Sequence, residues 1–300
     1  MTWVKMALLF SALVLELTAC VSRKELGTND NPIKIALTPG KDAETLTANG
    51  NIIKNHLEAD LKLRFEITVP ASYVAVVESL GSKRADFAIL NTMGYLMAHQ
   101  RYGAEAMFTL TDHGRNNYHG EIIAREDGPK TMREISGKKM AYVDPISSSG
   151  YILPSHLLKK NDISPKEIVF AGRHDSVVSM VYQKQVDAGA TFWLPDENGE
   201  PWDARRLVLA QYPDVFKKIK IIAFTQDLPN EAFVVRNEFP ADIRNKVSDS
   251  LKTWMQTDAG KKALKDLYNC DGLEPATDSS YNSARKVLKE LGKKVEDLAL

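Results

Sequence analysis

Cysteine is almost missing from this chain. Cys20 and Cys270 are the only two in 300 residues, too few for a disulfide framework, so stability must come from a packed core. Net charge is missing as well: 39 basic and 39 acidic side chains cancel, and neither sign gathers into a long run. Nucleic acid, which is held largely through its phosphates, is therefore not an expected partner. No apolar run is long enough for a membrane span. The stretch Met6 to Leu15 falls well short of the roughly 20 residues a bilayer requires. There is no internal repeat and no low-complexity tract. The histidines His56, His99, His113, His119 and His156 show no metal-ligand spacing, so neither a metal nor a cofactor is expected. Small solutes and other proteins remain as partners.

The hydrophobic content of 44% is ample for a full core, and the length suits one large or two moderate domains. Near the start, Lys5, the apolar run and Leu17-Thr18-Ala19-Cys20 follow the order of a bacterial lipoprotein signal. Glu16 weakens the apolar run. On this reading residues 1–19 are removed, Cys20 carries the lipid and residues 20–31 form a polar tether. The protein then sits at the periplasmic face or cell surface, touching membrane only through its anchor. Cys270 is left as a packed small hydrophobe beside Tyr268.

From Ile33 onward the hydrophobic pattern alternates between strand and helix. Ile33–Leu37, Phe65–Val69 and Asp86–Leu90 read as strands, with helices from Ala43 to Leu61 and Tyr73 to Leu80. This repeated β-α order predicts a parallel, helix-covered sheet, with ligands beyond the carboxyl ends of its strands. The loops 38–42, 70–73 and 91–95 are thereby singled out. A second series starts near Gly120 and runs through Met140–Val143, Glu167–Phe170 and Val186–Thr191. Leu194 to Arg205, rich in proline and charge, reads as a surface loop. Ile219–Thr225 and Ala232–Val235 read as strands that return to the first sheet, and the last third is helical.

One stretch stands out chemically. Asp144-Pro145-Ile146-Ser147-Ser148-Ser149-Gly150 joins a strand to a helix, where the first backbone N–H groups lack partners and the helix dipole favours an anion. Serine hydroxyls add donors without charge. The simpler account is that one serine caps the helix, worth about 1 kcal/mol. A serine hydrolase is disfavoured, because Ile146 stands where Gly-x-Ser-x-Gly needs its first glycine.

Four blocks in fixed order give this pattern a likeness: Pro70-Ala71-Ser72-Tyr73, Ala85-Asp86-Phe87-Ala88 with Gly94-Tyr95, Asp144 to Pro154, and Gly172-Arg173-His174-Asp175 running to Val186-Asp187-Ala188-Gly189-Ala190. Together they resemble the periplasmic solute-binding proteins of phosphonate, phosphite and phosphate ABC transporters. The resemblance implies a type II periplasmic-binding-protein fold, in which two α/β lobes joined by a two-strand hinge close over a ligand. Lobe 1 is then 32–117 plus 225–300 and lobe 2 is 118–224, with crossings near 116–119 and 222–226. Carried over by position, Ser147, Ser148 and Ser149 donate to the oxyanion, Tyr73 and Tyr95 add hydroxyls, and His174 completes the site. Leu228-Pro229-Asn230-Glu231 resembles a family stretch in which aspartate is commoner than Glu231; where members that take aminoalkyl phosphonates place an acid, this chain has the apolar Phe192-Trp193-Leu194 with Asp196 and Glu197 a little further on, and Glu231 could still serve a ligand amine. Neither a buried lysine nor an arginine clamp is expected. ABC permease subunits are the implied partners and no catalysis is implied. A sensory lipoprotein reporting to a membrane kinase, or a binder of another oxyanion such as a sulfonate, is the alternative.

Overall fold

The computed structural model describes residues 24–197 and 199–298. Residues 1–23, with Cys20 and the start of the expected tether, lie outside them. What is described of that tether is docked rather than free. Leu26 packs on the first core, and Arg64 N donates to Gly27 O at 2.8 Å. Gly27 turns the chain at φ +84°, and a Cβ there would come within 2.8 Å of Leu63.

Among the described residues twelve strands fall into two sheets. The first holds β1 (Ile33–Leu37), β2 (Phe65–Thr68), β3 (Phe87–Leu90), β4 (Glu105–Thr111), β11 (Ala232–Val235) and β12 (Gly272–Pro275), in the order β12-β4-β11-β3-β1-β2. The second holds β5 (Asn117–Arg125), β6 (Lys139–Tyr142), β7 (Glu167–Phe170), β8 (Ala188–Trp193), β9 (Ile219–Phe224) and β10 (Leu228–Pro229), with β9 and β10 both on β5. Helices cover the sheets: α1 (Ala43–Leu61), α2 (Tyr73–Gly81), α3 (Thr92–Tyr102), α4 (Leu153–Lys160), α5 (His174–Tyr182), α6 (Val215–Lys218), α7 (Ala241–Trp254), α8 (Asp258–Tyr268) and α9 (Asn282–Glu290). Among the described residues no helix is long and apolar enough to cross a membrane.

Local chemistry sets most of these limits. Asp42 caps α1 by accepting from Glu44 N and Thr45 N, and Leu46, Ile53 and Leu57 form its buried stripe. Asp86 and Asp187, each just ahead of a strand, play matching parts. Asp86 accepts from Lys34 N and Asp187 from Lys139 N, so in each lobe a carboxylate ties an earlier strand, β1 or β6, to the start of a later one, β3 or β8.

The sheets differ from the expected all-parallel arrangement. β1 pairs in parallel with β2 and β3, and β6 with β7 and β8. However, β11 runs antiparallel to β3, and β5 antiparallel to β8 and β9. A chain that enters the second lobe and returns must reverse, and β5 and β11, the strands that flank the crossings, run against their neighbours; β12 at the edge of the first sheet is antiparallel to β4 as well. Of the two strands expected to return to the first sheet, β9 stays in the second and β11 joins the first, as does the later β12. The crossings lie side by side: Leu228 pairs with Tyr118, Pro229 with Asn117, and Asn230 N donates to Asn116 O. The Asn230 amide also donates to Leu110 O and Arg115 O.

The segment 194–205 is less exposed than a surface loop. Leu194, Asp203, Ala204 and Arg205 are buried, and Asp203 accepts from Arg205 through both carboxylate oxygens. That pairing satisfies two charges that could not otherwise leave water.

Candidate functional site

The serine stretch meets the first lobe across a cavity of about 60 Å³. By this measure one water needs roughly 10–15 Å³, so the space takes about four to six water-sized groups. That matches a tetrahedral oxyanion with at most a short substituent.

The turn itself is unusual. Asp144 Oδ1 accepts from Ile146 N at 2.9 Å, and Ser147 O accepts from both Tyr151 N and Ile152 N. The first turn, Ser148–Ile152, is therefore a π-helical one that leads into α4. Such turns recur at functional sites because they widen the helix locally. Ser147 Oγ caps it by accepting from Gly150 N at 3.1 Å. A Cβ on Gly150 would lie 2.4 Å from Val143 Cγ2, so glycine is required by space.

The three serines divide their work. Ser147 and Ser149 line the cavity. Ser148 instead bonds across the cleft, its hydroxyl oxygen accepting from Asn91 Nδ2 at 2.9 Å and Met93 N at 3.1 Å. Asn91, the cap of α3, donates as well to Ile146 O at 2.8 Å.

Tyr73 opens α2 and is buried in the cavity wall, which it shares with Ser147. Burial, reinforced by Asp144, pushes the phenol well above its usual range, so it stays protonated and able to donate. Gly40 makes room for it, since a Cβ there would lie 3.2 Å from that hydroxyl. His174 opens α5, with Nδ1 on Thr191 Oγ1 at 2.7 Å and its backbone N–H on Gly40 O across the cleft. Burial, helped by the Lys41 charge, lowers its pKa to about 3. The imidazole is neutral at physiological pH and contributes no charge to the site.

Tyr95 does not join this group. Its side of α3 faces the C-terminal segment, where the hydroxyl donates to Asp278 Oδ1 at 3.1 Å and the ring packs 4.5 Å from Tyr281. The tyrosine that does line the cavity is Tyr118, at the start of β5, with Ser149 on the same wall. Its place on the expected crossing was the available signal.

Two charged groups also line the cavity, both half-buried. Glu231, just ahead of β11, is the expected acid. Removal from bulk water pushes its carboxyl up to about 7, against the pull of a backbone hydrogen bond and of Lys41. Lys41 was not expected, although it lies in the loop 38–42 singled out by its place after β1. Its ammonium donates to the end of α8, at 3.0 Å to Leu267 O and 3.5 Å to both Asp266 O and Asn269 Oδ1. Desolvation and then the neighbouring Arg206 lower it to about 8. Arg206 lies over Trp202 at 3.5 Å and bonds Asn269 across the cleft. Phe192 and Leu194 supply the apolar wall.

Elsewhere Asp112, His113 and Asp271 converge. Their contacts are mutual: Asp112 accepts from Arg115 and His113, and Asp271 from His113 N. These bonds account for the cluster without an ion.

A profile described as ABC transporter, phosphonate, periplasmic substrate-binding protein matches residues 35–281. The chain belongs to that family. Family members are substrate-binding components of importers, and the protein is a binding protein rather than an enzyme. The phosphate-import protein PhnD of Mycolicibacterium smegmatis is 26% identical over 289 residues, covering 87% of this chain and 86% of its own. Two solved structures share the fold. The binding protein of a phosphonate ABC transporter from Pseudomonas aeruginosa aligns at a TM-score of 0.76 with 18% identity, over 86% of each chain. PhnD1 from Prochlorococcus marinus, in complex with methylphosphonate, aligns at 0.74 with 14% identity, over 87% of this chain and 98% of that one.

Proposed function

We propose that this protein is a substrate-binding lipoprotein that captures a phosphonate, phosphite or phosphate between its lobes and delivers it to ABC permease subunits. The observation that carries this reading is the small cavity between the lobes at the serine turn. Ser147 and Ser149, two protonated phenols at Tyr73 and Tyr118, and a neutral His174 surround a space the size of a small tetrahedral anion. The first N–H groups of the π-helical turn add donors that helix geometry leaves unpaired. Donors arrayed in three dimensions suit a tetrahedral oxyanion better than a planar carboxylate. Ser148 serves by holding the lobes together, and Glu231 with Lys41 sets the charge.

Ligand binding raises the melting temperature with the logarithm of ligand over Kd. A panel of phosphite, phosphate, alkyl- and aminoalkylphosphonates, sulfate and alkylsulfonates is expected to give shifts with the phosphorus compounds. Shifts with sulfonates alone, or with none of the phosphorus compounds, overturn the reading. Anchoring through Cys20 rests on Leu17-Thr18-Ala19-Cys20. Mass spectrometry of protein from its native cell is expected to find lipid on a chain beginning at Cys20, and an unmodified start elsewhere rules it out.

A further inference from the structure

A carboxylate in the wall of an anion site needs an account. Glu231 would repel an oxyanion at close range, and there are three ways to offset that: a proton on the carboxyl, a cation on the ligand, or a cation on the protein. The chain itself holds the third. Lys41 lines the same cavity and is fixed in place by the carbonyls that end α8, an orientation the helix dipole favours. Arg206 lies close enough to add to the positive field at Lys41.

We propose that Lys41 takes the place of a ligand ammonium opposite Glu231 and so restricts the site to tetrahedral oxyanions without a cationic substituent. This rests on the oxyanion reading above and adds the substrate class. An aminoalkyl compound meets Lys41 as a like charge, with Arg206 behind it on Asn269, and like charges in a desolvated site are strongly discriminating. The small cavity and the apolar Phe192 and Leu194 act in the same direction, since a bare methyl or ethyl group loses nothing by contact with them. The carbonyls of Asp266 and Leu267 already engage the Lys41 ammonium, so a ligand amine finds those acceptors taken.

The test compares Kd values for ethylphosphonate and 2-aminoethylphosphonate by calorimetry in the wild type, Lys41→Gln and Lys41→Met. Lys41→Gln keeps a donor for the Leu267 carbonyl without charge, so it guards against a folding defect in Lys41→Met, and circular dichroism checks both. The wild type is expected to favour ethylphosphonate by about ten- to hundredfold. In both variants ethylphosphonate affinity falls and the ratio moves toward the amino compound by about tenfold or more. The double variant Lys41→Gln with Glu231→Gln is expected to regain ethylphosphonate affinity without a preference for the amine. An unchanged ratio in folded Lys41 variants overturns the proposal while leaving oxyanion capture intact. If the wild type binds sulfonates and no phosphorus compound, oxyanion capture of phosphorus fails, and the ratio for ethanesulfonate and its 2-amino derivative tests Lys41 alone. Binding of neither class overturns both.

Discussion

Ser148 shows how one hydroxyl joins two lobes. It accepts from Asn91 Nδ2 and Met93 N, and both bonds exist only when the cleft is shut. Ser148→Ala leaves two polar groups of α3 without their acceptor in the closed form, at a cost of about 1–3 kcal/mol, or roughly a ten- to hundredfold higher Kd. Calorimetry is expected to show that loss, with stopped-flow kinetics placing it in faster release. Full affinity would reduce Ser148 to a turn residue. The charged pair carries a pH signature of defined sign. Glu231, near 7, ionises as pH rises, and Lys41, near 8, then loses its charge. Each step makes the cavity more negative, so oxyanion affinity falls as pH rises through 7 and 8. His174, near 3, stays neutral and adds nothing. Binding is accordingly coupled to proton uptake, measurable by calorimetry in buffers of different ionisation enthalpy. The ligand's own titration is common to both proteins, so the wild type is expected to exceed Glu231→Gln in protons taken up; equal uptake would remove Glu231 from the linkage.

Among the elements, the serine turn and β5 are fitted to each other through Gly120. A Cβ there would lie 2.8 Å from the Ser149 carbonyl oxygen and 3.0 Å from Thr225 Cγ2. Backbone cannot yield as a flexible side chain does, so Gly120→Ala displaces the turn at a cost of about 1–3 kcal/mol. Melting temperature and oxyanion affinity are expected to fall together. Gly128→Ala, where the nearest atom is Arg125 O at 3.4 Å, is the matched control and is expected to change neither. Much at this level was legible beforehand. The strand at Ile33–Leu37 and the helix from Ala43 to Leu61 follow from their apolar spacing, and Asp144 turning the chain toward the serines follows from its side-chain chemistry. The π-helical first turn did not follow, because it depends on Gly150 pressing against Val143, a fit between elements.

For the molecule as a whole, the described state is closed. His174 N on Gly40 O, Asn91 on Ile146 O, and the Glu197–Lys265 and Arg206–Asn269 contacts all span the cleft. Few of these bonds survive separation, whereas the crossings hold through Asn230, so opening at the hinge is the low-cost motion. X-ray scattering is expected to show a smaller radius of gyration with saturating ligand than without. Lys265→Ala, which removes one contact outside the cavity, is expected to weaken binding while the liganded radius stays the same; an unchanged affinity would make that contact incidental.

The linear order of residues was enough to define the alternation of strand and helix, the anion-friendly serine turn and the family to which the chain belongs, since each depends on neighbours along the chain. It was not enough to choose between Tyr95 and Tyr118, to assign Ser148 to the lobe contact, or to bring Lys41 into one cavity with Glu231. Successive helical residues differ by about 100° in direction, so which one faces the cleft depends on what packs behind the helix. Tyr95 is turned away by Asp278 and Tyr281, and Lys41 is drawn in by the end of α8. Both partners lie more than half the chain away, and only the folded lobes bring them within reach.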